Sequence, residues 1–192
     1  MTQTVNFEIP PAAYFRHKFT VTEFEALSRS GSLPEGKRFE LLEGEIYEIP
    51  KMGDSETGLL ICLNETLILK LFKQVKVIPR CPIRLEQNDS QPEPDFALVY
   101  QEHYMGGIPH ARDLALVIEI SDSSLDKDRS LKLPIYAREN IPEVWILNVS
   151  TAQLEVYSEP HKGEYRSRRI YDSGQAVAPL AFAEVQIEWW VN

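Results

Sequence analysis

The sequence contains only two cysteines, four histidines and no long hydrophobic run. Cys62 and Cys81 form no CxxC motif for zinc or redox chemistry, so we expect two reduced and largely buried thiols. The histidines are scattered without a metal-ligand spacing, and the longest apolar run, around residues 59–63, ends at Asn64 and Glu65. A zinc site and a membrane-spanning helix are therefore both disfavoured.

Positive charge is also scarce, since 20 Lys and Arg residues stand against 29 Asp and Glu, giving a net charge of −9. A polyanion repels such a chain at long range, which argues against a protein that coats DNA through general basicity. The sequence has no P-loop and no GxGxxG motif, which disfavours nucleotide-cofactor chemistry. The N-terminus lacks a signal-peptide pattern, so we expect a cytoplasmic location.

Length and composition fit one globular domain. The chain has 192 residues, of which 43% are hydrophobic and 26% charged, as in a folded domain with an ordinary core. We assign this domain to residues 20–192 and expect an irregular arm at residues 1–19.

Hydrophobic periodicity predicts alternating strands and helices. A capping box at Thr20 opens a first helix, and apolar spacing predicts a longer helix over residues 54–73. Pro134 should kink or split a third helix that follows Ser123 or Ser124. The predicted strands are a hairpin at 38–49, short strands at 75–78 and 83–85, apolar strands at 95–100, 114–120 and 143–149, and short strands in the tail. We expect an α/β fold with a mixed central β-sheet flanked by helices and a β-rich C-terminal tail.

Two carboxylates lie at the ends of neighbouring predicted strands. If these strands pair in antiparallel fashion about Gly106 and Gly107, Asp95 lies opposite Glu119, on one face unless the loop shifts the register. Glu119 is the sole charge in its strand, and a buried carboxylate is costly unless it is paired or binds a cation. A divalent metal that prefers oxygen ligands would remove the repulsion between the two acids. The alternative is that Glu119 caps the amides of residues 121–124.

The next helix offers a cation, because Asp128, Lys132 and Tyr136 are spaced four apart and share one face. If that face folds back over the sheet, Lys132 can reach a metal-bound phosphate or water. The alternative is a surface ion pair between Asp128 and Lys132, worth a few tenths of a kcal/mol. The spacing alone does not decide between them.

One basic cluster lies near the end of the chain, interleaved with tyrosines. Its possible nucleic-acid contacts are Lys162, Arg166, Arg168 and Arg169. They could touch a phosphate backbone despite the negative net charge. An edge strand kept soluble by its charges explains the cluster equally well.

In order and spacing, these residues resemble the PD-(D/E)xK nuclease superfamily. The closer resemblance is to its large bacterial branch of restriction-endonuclease-like proteins of uncharacterised function, the Uma2 type. The residues that carry the resemblance are Pro94-Asp95, Phe39-Glu-Leu-Leu-Glu-Gly-Glu-Ile46, Ile118-Glu-Ile-Ser121, Asp128, Lys132, Tyr136 and Val144-Trp145-Ile146. They cover about residues 20–150, and the resemblance extends to the β-rich tail.

The resemblance implies a restriction-endonuclease-like fold and metal-dependent hydrolysis of DNA phosphodiester bonds. Asp95 and Glu119 would hold Mg²⁺ or Mn²⁺ with help from the Ile120 carbonyl, and Glu40 matches an additional acidic residue of the family. The metal would activate water, and a lysine would orient the nucleophile. Enzymes that cut both DNA strands need two sites, which implies a homodimer.

Two positions depart from the family pattern. Ser121 stands where the superfamily usually has its lysine, so Lys132 would be a lysine relocated to the helix. Glu56 stands where this branch often has a histidine, which puts local activity in doubt without affecting the fold.

Two other classes of function remain open at this stage. The first is a catalytically silent module that keeps the fold and binds nucleic acid or protein. The second is a two-carboxylate hydrolase of another substrate such as a glycoside, which the absence of aromatic residues beside Asp95 and Glu119 disfavours. Convergence of Glu40, Asp95, Glu119 and Lys132 on one point would favour the nuclease.

Overall fold

The computed structural model describes residues 16–102, 104, 106–122 and 124–190. Most of the expected N-terminal arm therefore lies outside the described residues, as does Ser123, and residues 16–19 run irregularly into the first helix. The helices and strands are, in chain order, α1 (Val21–Ser30), β1 (Arg38–Leu42), β2 (Glu45–Ile49), α2 (Asp54–Lys70), β3 (Val75–Pro79), β4 (Phe96–Tyr100), β5 (Leu114–Ser121), α3 (Leu125–Lys127), α4 (Leu133–Arg138), β6 (Glu143–Asn148), β7 (Gln153–His161), β8 (Glu164–Asp172), β9 (Ala176–Val177) and β10 (Ile187–Glu188).

A six-stranded mixed sheet with the order β3-β4-β5-β6-β7-β8 forms the centre of the structure. Strands β5 and β6 are parallel and every other neighbouring pair is antiparallel. The helical segment between β5 and β6 makes the crossover that a parallel pair requires. All eight residues of β5 are buried, as expected for a strand covered on both faces. The expected mixed α/β architecture with a strand-rich C-terminal part is confirmed.

The register of β4 and β5 brings the two predicted carboxylates together. Phe96 pairs with Ile118, so the next positions along the two strands are Asp95 and Glu119. The only register shift in this pair is a bulge between Leu98 and Val99, toward the connecting loop and away from the carboxylates. Because the shift lies on the loop side, both side chains keep the same face of the sheet.

Different elements cover the two faces of the sheet. Helix α2 packs its buried Leu59, Leu63 and Leu67 against one face. The other face is covered by what we call the split helix, which comprises α3, a π-helical turn at Asp128–Lys132, and α4. Pro134 lies in the first turn of α4, directly after the π-helical turn, so the α-helical pattern is interrupted next to the proline while the backbone stays helical.

The hairpin of β1 and β2 lies beside the split helix. Its turn is fixed by Gly44, which has a φ of 79° and whose added Cβ would lie 2.7 Å from the Cβ of Lys18. Leu42 packs into the core on the split-helix side, and the backbone of Leu41 forms two hydrogen bonds with that of Gln91. These contacts hold the hairpin, and with it Glu40, over the carboxyl end of β5.

One expectation about the cysteines is wrong. Cys62 is exposed and Cys81 is partly buried, because Cys62 falls on the outer side of α2, away from the sheet. In the part of the chain that the structure describes, no helix is both long and apolar enough to cross a membrane.

Candidate active site

Asp95 and Glu119 lie side by side at the carboxyl end of β5. The backbone N–H of Ile120 donates to Asp95 Oδ2 at 2.8 Å, which fixes this carboxylate against the strand. No described residue donates a hydrogen bond to Asp95 Oδ1, and Asp95 lines a cleft that opens to solvent. Glu119 is 3% exposed.

Lys132 reaches this carboxylate pair from the split helix. Its Nζ lies 3.1 Å from Glu119 Oε1, 3.2 Å from Glu40 Oε2 and 3.7 Å from Asp128 Oδ1. The side chain is buried, so the alternative of a surface pair between Asp128 and Lys132 is wrong. The π-helical turn that ends at Lys132 aims the side chain down at the sheet, and such turns are frequent at functional sites.

Glu40 comes from the middle of β1 and is fully buried. Its Oε1 accepts a hydrogen bond from Lys127 Nζ at 2.7 Å, and its Oε2 faces Lys132 and the backbone N–H of Glu93, at 3.3 Å from that nitrogen. Glu40 is therefore held by two cations and one amide. The other acids of the hairpin, Glu43, Glu45 and Glu48, are not buried.

Ser121 occupies the position where a lysine was expected and has a different task. Its hydroxyl donates to Asp128 Oδ2 at 2.7 Å, and the hydroxyl of Ser124 donates to the same oxygen at 2.6 Å. Asp128 is thereby anchored to the end of β5 and contributes a negative charge beside Lys132. The alternative that Glu119 caps the amides after β5 finds no support, because Glu119 bonds to Lys132 and Tyr136 instead.

Tyr136 completes the surroundings of Glu119. Its hydroxyl donates to Glu119 Oε1 at 2.5 Å from α4, one turn beyond Lys132, and the ring is buried against the sheet. The four-residue spacing of Asp128, Lys132 and Tyr136 therefore places all three on the buried face of the split helix.

Burial dominates the electrostatics of the site. It raises the pKa of Asp95 to about 6, an effect that Asp128 and Glu56 reinforce and that the Ile120 amide and Lys132 oppose. Burial likewise raises the pKa of Glu119, against the attraction of Lys132 and with repulsion from Asp128 and Asp95. The sequence predicted burial of Glu119 and repulsion from Asp95. It did not predict that Asp128 also raises the pKa of Glu119.

For Glu40 and Lys132, in contrast, the neighbouring charges outweigh the effect of burial on the pKa. Burial alone would raise the pKa of Glu40, but Lys132 and Lys127 outweigh it and hold that pKa below its usual range. Burial would lower the pKa of Lys132, but Glu119, Glu40 and Asp128 outweigh it and raise that pKa, so Lys132 is an ammonium group at neutral pH.

The inner end of the cleft has an excess of negative charge. Four carboxylates lie around two ammonium groups there, so two negative charges are unbalanced when all are ionised; the six groups are Glu40, Asp95, Glu119, Asp128, Lys127 and Lys132. Oxygen donors with such an excess are the chemistry that Mg²⁺ and Mn²⁺ prefer. Across the described ranges, no three Asp, Glu, His or Cys side chains are grouped to form a ready-made metal site. The residues therefore fit an ion held by one or two carboxylates plus water and substrate oxygens, as Mg²⁺ often is.

The structure thus brings Glu40, Asp95, Glu119 and Lys132 to one cleft and leaves the basic cluster elsewhere. Strand β8, which carries three of those cations, lies three strands from β5, about 14 Å away at ordinary strand spacing. Arg168 is bound to the buried Glu155 at 3.1 Å. Lys162, Arg166 and Arg169 are exposed at the sheet edge.

Sequence reasoning missed Lys127 and the two serine hydroxyls that hold Asp128. No sequence pattern pointed to Lys127, because it lies next to Asp128 and does not share the spacing of the residues on the buried face of the helix. Glu56 lies near Asp95 and raises its pKa, while its Oε2 accepts the Gly53 amide at 2.7 Å. At this position the chain therefore has a carboxylate that caps the start of α2.

Comparison with known proteins shows the family and the fold. A search of curated proteins finds no match. A crystal structure described as "a putative nuclease belonging to DUF820", from Anabaena variabilis ATCC 29413, superposes with a TM-score of 0.69 and 16% identity, covering 88% of this chain and 94% of that one. At this identity the likeness shows a nuclease-like fold. The family model of Uma2, described as "Putative restriction endonuclease", matches residues 21–189. Because this match spans most of the chain, the protein belongs to the Uma2 family.

Proposed function

We propose that this protein is a Mg²⁺- or Mn²⁺-dependent DNA endonuclease that hydrolyses phosphodiester bonds. The proposal is carried by the convergence of four residues from separate segments, Glu40, Asp95, Glu119 and Lys132, on one cleft. The nuclease-like fold and the family description support the same class of reaction. The described residues that line the cleft include no aromatic side chain, which argues against a sugar-binding site.

Asp95 and Glu119 are the residues that we expect to hold the metal, with the carbonyl of Ile120 as a further oxygen. The bound ion would supply activation of water and neutralisation of charge on the phosphate. Asp95 Oδ1 suits this role because Oδ2 is already engaged by the Ile120 amide. Glu119 is kept in one orientation by Lys132 and Tyr136.

Lys132 would orient the attacking water and the phosphate. Its ammonium group donates to Glu119 Oε1 at 3.1 Å and to Glu119 Oε2 at 3.3 Å, and it forms ion pairs with Glu40 at 3.2 Å and with Asp128 at 3.7 Å. Because Lys132 also lines the cleft, its charge would act on a phosphate oxygen or a water that enters there. Glu40 and Asp128 keep the ammonium charged and in place, so the lysine acts from the helix in the position that Ser121 leaves without a cation.

The alternative is a silent module that retains the fold and binds nucleic acid or protein. It is favoured by the lack, among the described residues, of a preformed cluster of three metal-ligating side chains. Under this alternative the ion pairs of Lys132 serve stability alone.

A cleavage assay separates the two functions. Supercoiled plasmid and single-stranded DNA are incubated with the protein in Mg²⁺, Mn²⁺ or EDTA, and E119Q serves as the site variant. The nuclease predicts nicking or linearisation in metal, none in EDTA, and none with E119Q. Wild-type protein that leaves both substrates intact in every condition, or cleavage that E119Q retains, contradicts the proposal.

We further propose that the enzyme acts in the cytoplasm. We also propose that it is a homodimer, because two active sites are needed to cut both DNA strands. The outer side of α2 supports a second copy as its partner. It exposes three large apolar residues, Ile61, Ile68 and Leu69, followed by Phe72 just beyond the helix, and their exposed fractions run from 44% to 71%. We call these four residues the α2 stripe.

The size and charge of the α2 stripe fit an interface between copies. Its side chains present roughly 450 Å² per copy, more than half of the ~800 Å² that each partner buries in a standard interface. Glu65 lies within the stripe and Lys73 follows it, both exposed. When two α2 helices pack antiparallel across a twofold axis near Leu69, Glu65 of each copy meets Lys73 of the other.

A further inference from the structure

A groove lined by cations leads out of the proposed active site. It passes between the hairpin and the start of α2, over the segment from Ile49 to Met52 that joins them. Six residues line both the active-site cleft and this groove, so the two are continuous; they are Arg38, Ile49, Pro50, Lys51, Met52 and Arg80. None of the sequence motifs drew attention to it.

The cations of the groove differ in what neutralises them. Lys37 pairs with Glu48 at 2.7 Å, and Arg38 pairs with Glu93. Neither Lys51 nor Arg80 has an ion pair with any described carboxylate. In a protein with a net charge of −9, these two cations supply positive charge where the groove meets the acidic cleft.

Arg80 is held at the edge of the site by its backbone. Its N–H donates to the carbonyl of Asp95 at 3.0 Å, so its Cα is fixed next to a proposed metal-holding residue. Its φ of 48° is in the left-handed region, which costs about 1 kcal/mol for a non-glycine residue and is concentrated at functional sites. Its guanidinium contacts Met52 Sδ at 3.8 Å, on the segment that joins the hairpin to α2.

The residues that line the groove also indicate which part of a nucleic acid the groove can bind. Among the described residues of the groove there is no aromatic ring on which a base could stack. Its charged lining has four cations against two acids, Glu35 and Glu48, and Glu48 is paired with Lys37. Long cationic side chains bind phosphates and carry no sequence information by themselves.

We infer that this groove binds the phosphate backbone next to the phosphate that is cleaved, with Lys51 and Arg80 as its contacts. This inference rests on the proposed function, since it assumes a nucleic-acid substrate in the adjoining cleft. It assigns the binding surface to the groove, although the sequence had pointed to Lys162 and to the arginines of β8.

The test compares two variants with equal loss of charge. Binding of a fluorescein-labelled 20-base-pair duplex is followed by anisotropy in Ca²⁺, and cleavage of plasmid is followed separately in Mg²⁺. K51Q/R80Q removes the groove cations, and K162Q/R166Q removes two cations near the sheet edge. Thermal melting and circular dichroism verify that both variants are folded.

We expect K51Q/R80Q to bind the duplex at least tenfold more weakly than wild type. The slope of log affinity against log salt should fall by about 1.8, since each phosphate contact contributes ~0.9. K162Q/R166Q should bind as wild type does, and two duplexes of unrelated sequence should bind equally.

Other results overturn the inference in distinguishable ways. If wild type cleaves DNA and K51Q/R80Q keeps both affinity and salt slope, the groove is wrong while the nuclease stands. If K162Q/R166Q alone loses affinity, the basic cluster is the binding surface. Equal losses in both variants mean that net charge acts at a distance, without groove contacts. If wild type neither binds nor cleaves, the proposed function fails and the groove assignment fails with it.

Discussion

The ammonium group of Lys132 lies 3.1 Å from a carboxylate oxygen of Glu119, and both residues are at least 95% buried. A buried ion pair adds little net stability because desolvation of the charges offsets their attraction. Here the pair also opens onto a cleft and shares its lysine with Glu40. A buried ion pair that adds little stability and lines a cleft is better explained by a role in the reaction than by a role in stabilising the fold.

Replacing Lys132 is expected to abolish cleavage and to destabilise the protein. K132M leaves Glu119 and Glu40 without their shared cation, and breaking such a buried pair costs about 3–5 kcal/mol. Loss of a group that positions the nucleophile should lower the cleavage rate by ~100-fold or more. Plasmid cleavage and urea unfolding measure the two effects.

K127M is the matched control for this prediction. Lys127 contacts Glu40 alone and its side chain is 26% exposed, so its loss should cost less stability than that of Lys132. Cleavage by K132M at the wild-type rate would show that the lysine has no part in the reaction.

Metal binding should stabilise the wild-type protein and not E119Q. A divalent ion that binds only the folded state raises the melting temperature by mass action. E119Q removes the carboxylate while nearly keeping its shape, so it should leave the metal-free protein as stable as wild type, or more stable, and abolish the shift. Differential scanning fluorimetry in Mg²⁺, Mn²⁺ and EDTA measures this.

E143Q is a suitable control because Glu143 is also buried but bonds to Trp145 and Leu180, away from the cleft. It should retain the metal-induced shift. Equal shifts in wild type and E119Q would mean that the ion binds at another place.

The sequence predicted that Asp95 and Glu119 lie opposite each other, but it did not predict all of the residues that surround them. Asp95 and Glu119 are placed symmetrically about the Gly106–Gly107 turn region, so their position opposite each other in an antiparallel pair was predictable. The buried face of the split helix likewise follows from the spacing of Asp128, Lys132 and Tyr136.

Contacts that depend on the placement of one element over another could not be read in this way. Lys127 reaches Glu40 across 87 residues of chain because the hairpin lies over the split helix, and no local pattern specifies that packing. The groove is equally non-local, since Lys51 and Arg80 belong to two segments that meet only in the folded chain. In contrast, the basic cluster of β8 was conspicuous in sequence because its members are neighbours along the chain.

Without metal, stability should fall as the pH rises from about 4 to about 6. The pKa of Asp95 is raised from 3.8 to about 6 by burial, so in this range the folded state binds more protons than the unfolded state. A shift of this size corresponds to about 3 kcal/mol at most. The raised pKa of Glu119 continues the loss of stability toward neutral pH, whereas the lowered pKa of Glu40 acts at lower pH and in the opposite sense.

Urea unfolding in EDTA at several pH values measures this dependence, with D95N for comparison. D95N lacks the titrating group, so its stability relative to wild type should increase as the pH rises through this window. A constant difference between the two proteins would show that Asp95 has an ordinary pKa. Saturating Mg²⁺ should reduce the wild-type dependence, because the ion stabilises the ionised carboxylates.

Disruption of the α2 stripe should convert a dimer into a monomer. L69E/F72E places two charges in each copy at the centre of the proposed interface, where unpaired buried charge is costly. These side chains are 71% and 68% exposed, so the fold of each copy should be unaffected. Light scattering coupled to size-exclusion chromatography should give about twice the chain mass of 22.0 kDa for wild type and 22.0 kDa for the variant.

The charged pair tests the orientation of the two copies. E65K and K73E should each weaken the dimer through like-charge contacts, and the double variant E65K/K73E should restore it, because the antiparallel arrangement brings opposite charges together again. L180E, at a residue that is 62% exposed but outside the α2 stripe, should remain dimeric. A monomeric wild type at every concentration, or a dimer that L69E/F72E leaves intact, would rule out this interface. Failure of the charge swap alone would exclude the antiparallel packing while leaving the α2 stripe as the contact.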